Sequence, residues 1–258
     1  MKKKYLIPAV LCFFLCLVCI FFLVKPAFLS RRAEPEPQVQ QRFPQNPVQT
    51  VEKAPPEAVE VAAPYVSPVD FETLFGQNPD IYAWLDIPNT DVSYPVVQST
   101  DDTFYLDRDI DGEKSAYGAI FSESTYNGKD FSDPITVLYG HNMIDGSMFG
   151  SLQILYSDRE SIGEHSEIIV YMPEQELHYK IFSVVPYDNR HIPYNYGDGT
   201  ARGMKSFLES VSAVKSIDAY WDAENSATLE DKLLVLSTCL NGNRSGRFIV
   251  VAKQINSI

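Results

Sequence analysis

Residues 232–253 read KLLVLSTCLNGNRSGRFIVVAK. Two apolar runs, 233–236 and 248–252, have strand length and are rich in Leu, Val and Ile. The polar segment 241–246, punctuated by Gly242 and Gly246, separates them as a hairpin-like turn. Cys239 closes the first run and Arg247 opens the second. Neighbouring strands would therefore carry a thiol and a guanidinium to the same end of a sheet. A nearby cation favours thiolate over thiol, which makes Cys239 a candidate nucleophile. The same residues also fit a buried Cys used as a small hydrophobe beside a surface Arg.

Outward from this hairpin, residues 69–258 have the size of one domain. Further strand-like runs lie at 92–98, 119–121, 135–139, 167–171 and 177–185. Residues 70–85, DFETLFGQNPDIYAWL, place Phe71, Leu74 and Phe75, then Ile81, Trp84 and Leu85, at helical spacing. Two short helices are expected there, the first capped by Asp70 and the second started by Asn78-Pro79. Residues 147–155 read as another short helix. Behind Thr200, Met204, Phe207, Leu208, Val211 and Val214 mark an amphipathic helix. Many short strands with few helices predict a mainly β fold with added helices, closed or nearly closed into a barrel.

The N-terminal part differs. Residues 5–24 carry no charge, and twenty helical residues rise about 30 Å, the hydrocarbon thickness of a bilayer. The run is longer than a signal-peptide core and leads into Lys-Pro-Ala-Phe, so it is expected to be an uncleaved membrane anchor after a short tail, 1–4. Lys2, Lys3 and Lys4 before it nearly balance Lys25, Arg31 and Arg32 after it, which leaves its orientation open. Residues 25–68 hold nine of the 17 prolines and no apolar period, the composition of an extended linker.

From Val69 onward, 13 Lys and Arg stand against 29 Asp and Glu. Such acidity argues against nucleic acid as a partner. Of the four cysteines, only Cys239 lies outside the apolar segment, so no disulfide within the domain is available. Cys239 has no CxxC partner and no two histidines have the i, i+4 spacing of a helical metal site. The acidic residues Asp101, Asp102, Asp107, Asp109 and Asp111 fit a solvated loop better than a calcium loop. No metal or cofactor is expected. Ser237 lacks the G-x-S-x-G context of a serine nucleophile.

Among the histidines, His141 ends the run 135–139 behind Gly140, where a strand meets a barrel rim. There it could exchange protons near neutral pH, or stand as a solvent-facing loop residue. His178 alternates with apolar neighbours and is expected on a solvent face, while His165 and His191 are read as bystanders. The candidate constellation is therefore Cys, His and Arg. The thiolate would attack a carbonyl carbon, the imidazole would move the proton, and the guanidinium would face the developing oxyanion.

TLEDKLLVLSTC followed by GRFIVVAK, with YGHNM about a hundred residues earlier, resembles the sortases, cysteine transpeptidases of Gram-positive surfaces. SYPVVQ, DDTFYL, YGHNMIDGSMFG and LSTC are similar to class B members, over essentially all of 69–258. The resemblance implies an eight-stranded sortase barrel with N-terminal helices and one amphipathic helix before the last strands. It also implies cleavage of a sorting signal after Thr, an acyl-enzyme at Cys239, and transfer to an amine. The expected partners are sorting-signal-bearing surface proteins and an amine on a cell-wall precursor, or on a pilin lysine. A peptidase that mainly hydrolyses and a non-catalytic binding module are the other readings. Motif by motif, His141, Cys239 and Arg247 match the family's catalytic residues. Arg247 is preferred to Arg244 because it directly precedes the last strand. Tyr139 and Ser237 match substrate-groove positions, with Tyr194 as a further candidate. Ser93 departs from an Asn of the class B pattern, which bears on a substrate contact, and Leu240-Asn241 supplies no carboxylate after the cysteine. The resemblance also implies an N-terminus inside the cell and a catalytic domain outside the membrane.

Overall fold

Leu233, Leu234, Val235 and Leu236 are all fully buried, although successive residues of a strand point to opposite faces. Such a strand needs cover on both sides. In the computed structural model, which describes residues 65–258, it has that cover. Strand β8 (Leu233–Leu240) lies between β4 (Ile135–Tyr139), parallel to it, and β9 (Asn243–Ser257), antiparallel to it. The other strands are β1 (Ile81–Asp86), β2 (Ser93–Val97), β3 (Ile120–Phe121), β5 (Glu167–Tyr171), β6 (Glu176–Tyr187) and β7 (Tyr220–Trp221). Their order is β5-β1-β2-β3-β4-β8-β9-β6-β7, and β5 also pairs with β6. That last pairing closes eight strands into a barrel, with the two-residue β7 outside the ring. Closure removes the free sheet edges that would otherwise invite association.

The helices are α1 (Phe71–Gln77), α2 (Leu152–Leu155), α3 (Arg159–Glu164), α4 (Ile192–Tyr196) and α5 (Ala201–Ser212). Helix α5 starts as expected, with the Thr200 hydroxyl accepting from Gly203 N at 3.1 Å. Its buried stripe, Met204, Phe207 and Val211, packs with Ile192 and Tyr196 of α4 on the outer face of the barrel. There it meets Ile135 and Val137 of β4, Leu233 and Val235 of β8, and Ile249 and Val251 of β9. The alternate residues of β8 face the barrel interior. The same outward face continues along β4 and β8 to Tyr139, Ser237 and Cys239.

Two helix expectations are corrected. Asp70 caps α1 as expected, accepting from Thr73 N at 3.1 Å, but no second helix follows. Residues 81–86 are strand β1, paired with β2 and β5. Asn78 fixes a turn instead of starting a helix: its Oδ1 accepts from Asp80 N, and its Nδ2 donates to the Tyr105 hydroxyl and to Ile110 O. Ile81, Tyr82, Ala83, Trp84 and Leu85 are all buried. Their helical spacing was thus a subset of an unbroken run in a strand covered on both faces. The helix expected over 147–155 shrinks to α2, because Met148 takes φ +53 while its N–H donates to the Tyr94 hydroxyl.

The expected anchor, and the linker up to residue 64, lie outside the described residues. Among the described residues no helix is long and apolar enough to cross a membrane.

Candidate active site

Strand β4 ends at Tyr139, yet its pairing with β8 runs one residue further, through Gly140 N donating to Ser237 O at 3.2 Å. A side chain at Gly140 has no room: a Cβ there would lie 2.5 Å from Ile120 Cδ1 and 2.7 Å from Phe149 Cδ2. The glycine lets the backbone press onto these residues, and the next residue, His141, turns out over the barrel rim. Its ring lies against Gly118, where a Cβ would come within 3.0 Å of His141 Cδ2. Nε2 donates to Leu106 O at 2.6 Å, since a carbonyl oxygen can only accept. In the neutral ring this puts the proton on Nε2 and leaves the Nδ1 lone pair to take one up.

Cys239 is exposed and stands directly opposite Arg247 in the β8–β9 ladder. Opposed residues of an antiparallel pair project from the same face with Cβ atoms roughly 5 Å apart. The next pair in register is Leu240 with Asn243, so residues 244–246 form a bulge beside a turn in which Gly242 takes φ +72. Arg247 is thus the arginine in register with the thiol, while Arg244 falls in the bulge. Leu106, Phe121, Tyr139, Gly140, His141, Ser237, Thr238, Cys239 and Arg247 line one cleft, open to solvent.

The cleft wall on the α4 side is tied by hydrogen bonds. Tyr139 donates its hydroxyl to Glu123 Oε2 at 3.1 Å. Burial first, then the Glu123 carboxylate, push the Tyr139 phenol far above its ordinary range, against a downward pull from Arg247. The phenol therefore remains a donor. His191 Nδ1 accepts from Tyr194 N at 3.2 Å as the cap of α4. Its proton is then on Nε2, which donates to both Glu123 oxygens, at 2.7 and 2.9 Å. Glu123 so links the two tyrosines that the sequence nominates as groove residues.

The sortase domain family matches residues 85–255, two thirds of the chain. The chain belongs to the sortase family. The curated sortase B of Listeria monocytogenes is 30% identical over 182 residues, 69% of this chain and 71% of that protein. A solved Staphylococcus aureus sortase B–substrate complex is 27% identical with a TM-score of 0.62, covering 74% of this chain and 87% of that one. A Streptococcus pyogenes class B sortase involved in pilus biogenesis is 26% identical at a TM-score of 0.62, covering 72% of this chain and 98% of that one. The present sortase is a class B transpeptidase by these likenesses, and its closed eight-stranded barrel with a few helices is the class B architecture.

Of the residues nominated from this sortase's sequence, Cys239, His141, Arg247, Tyr139 and Ser237 come together in the cleft. Ser93 does not line it: its hydroxyl accepts from Trp84 Nε1 at 2.9 Å, at the start of β2. Tyr194 is largely exposed on α4 and reaches the site through its backbone bond to His191. Glu123 and His191 carried no pattern that singled them out. His178 lies on the solvent face of β6, between the buried Leu177 and Tyr179, and is partly covered there by Glu167 and Glu176, which hold its two ring nitrogens.

Proposed function

We propose that this sortase cleaves a sorting signal after its Thr through a thioester on Cys239 and transfers the acyl group to a cell-wall amine. Cys239 Sγ attacks the Thr carbonyl carbon, its proton passing to His141 Nδ1. The carbonyl oxygen takes up negative charge facing Arg247. The C–N bond then breaks as Nδ1 returns the proton to the leaving amine, and the thioester remains. An incoming amine gives its proton to Nδ1 as it attacks, and collapse forms the new amide and frees the thiol. The observation that carries this reading is the direct pairing of Cys239 with Arg247 in the cleft that also holds His141. The substrate complex of the S. aureus relative supports a sorting-signal peptide as the ligand. The uncharged run 5–24 supports a membrane anchor, and the likeness to the sortases supports an N-terminus inside and a catalytic domain outside the cell.

Incubation with a library of Thr-containing peptides, followed by mass spectrometry of the intact protein, should trap an acyl adduct. Cys239→Ala should abolish both the adduct and peptide cleavage. Full turnover by that variant would remove Cys239 as the nucleophile. A second acceptor, a pilin lysine, is supported by the S. pyogenes relative's involvement in pilus biogenesis. Offering a cell-wall peptide amine and a lysine side-chain amine together, and identifying which one appears in the product, decides between them.

A further inference from the structure

The β4–β8 ladder runs out before it reaches the nucleophile. Its last bond is Gly140 N to Ser237 O, after which His141 leaves the sheet. Strand β8 continues to Leu240 with β9 on one side only, so the Cys239 carbonyl and the Asn241 N–H would face an empty edge. Two side-chain amides fill that edge. Gln153 of α2 donates from Nε2 to Cys239 O at 3.1 Å and accepts from Asn241 N at 2.9 Å. The group spans residues two apart, as the backbone of a neighbouring parallel strand would. Asn142 uses both hydrogens of its Nδ2, one to Cys239 O and one to Asn241 Oδ1, each at 2.8 Å. The Cys239 carbonyl thereby has both lone pairs engaged.

We propose that Asn142 and Gln153 form a clamp that positions Cys239 for attack. Neither touches the thiol, so both are positioning residues, and the proposal rests on Cys239 being the nucleophile. Holding the carbonyl of residue 239 and the N–H of residue 241 fixes the peptide planes on the C-terminal side of Cys239, and with them the direction of its Cα–Cβ bond. Asn142 also directly follows His141. The clamp therefore ties the backbone beside the imidazole to the backbone of the sulfur it serves, across 97 residues of sequence. Sulfur and imidazole must stay in reacting geometry while the substrate amide binds, and a displacement of about 1 Å can cost on the order of 100-fold in rate.

The test uses the full chain and the peptide that the wild type cleaves fastest from the Thr-containing library. Gln153→Ala should lower kcat about 10-fold and Asn142→Ala/Gln153→Ala about 100-fold. KM and the melting temperature should stay near wild type, which a loss of general stability would not produce. Gln153→Glu keeps the acceptor for Asn241 N but loses the donor to Cys239 O. It should fall with Gln153→Ala, and it decides the matter if the double variant does not fold. Wild-type kcat in these variants, or a raised KM at unchanged kcat, overturns the clamp. Cys239→Ala run alongside separates the two readings. An inactive Cys239→Ala with fully active clamp variants sinks the clamp alone, whereas an active Cys239→Ala sinks the nucleophile and the clamp together.

Discussion

A guanidinium keeps its charge through a catalytic cycle and offers several donors in one plane, so Arg247 presents the cleft with a fixed positive edge. Removing a comparable oxyanion donor costs about 3–4 kcal/mol, which is roughly 10²–10³-fold in rate. Arg247→Ala is expected to lose that much kcat, and Arg244→Ala little, because only Arg247 is in register with Cys239. Steady-state kinetics of both variants on one peptide check this, and the reverse ranking would move the role to Arg244. A second single-residue effect concerns stability. Thr136 and Thr238 each bury a hydroxyl that has no hydrogen-bond partner. An unsatisfied buried hydroxyl costs about 1–3 kcal/mol, and Val has nearly the same shape without it. Thr136→Val should therefore raise the unfolding free energy by about 1 kcal/mol in urea titration, leaving cleavage unchanged. Thr136 is the better probe, since Thr238 adjoins Cys239.

Helix α4 has only five residues, too few to be stable alone, and it holds one wall of the cleft through its cap. Replacing His191 by Ala removes the acceptor for Tyr194 N and the donor to Glu123 together. A cap of this kind is worth about 1 kcal/mol. His191→Ala should accordingly raise KM for the peptide several-fold while kcat changes little, and a kcat loss at constant KM would show that α4 does not shape the groove. The sequence could not announce this element. His is an uncommon cap, α4 is too short for a periodic signal, and Glu123 sits in a loop whose meaning depends on residues 16 and 68 positions away. Strands β4 and β5, by contrast, were legible to the residue, as short β-branched runs bounded by Pro, Gly or polar residues. Strand β1 was misread because a strand covered on both faces loses its alternation, and any helical spacing can then be found within it. Cys239, His141 and Arg247 were legible because each flanks an apolar run, although Arg247 lies four residues inside β9, which begins at Asn243 and not at Arg247 as the sequence suggests. Gln153 was not, since a helix face gives no hint that one amide will complete a distant ladder.

At the scale of the whole molecule, stability is expected to fall on both sides of a pH window. On the acid side, Asp145, Asp188, Asp198 and Asp222 titrate below their ordinary 3.8, held down by the Ser147 hydroxyl, the Arg190 guanidinium, the Thr200 N–H and the Asn225 amide. The folded chain binds these protons less readily than the unfolded chain. Their contribution is complete above pH 3.8 and is lost as pH falls through the lower folded values. On the alkaline side the sign reverses at His178, whose ring nitrogens lie 2.8 Å from Glu167 and 2.9 Å from Glu176. Burial pulls its pKa down, but the hydrogen bonds and charges of the two carboxylates prevail and raise it above 6.5. These contacts, one within β6 to Glu176 and one across to Glu167 of β5 where the barrel closes, contribute fully below pH 6.5 and are lost as pH rises through the raised folded value. Self-repulsion among the excess carboxylates of residues 69–258 acts across the same range, so wild type alone cannot isolate the histidine. His178→Gln can. Melting temperatures recorded between about pH 6 and pH 8 should decline more steeply in wild type than in His178→Gln, with the two converging at the alkaline end. Parallel curves would mean that the closing seam does not depend on the imidazolium.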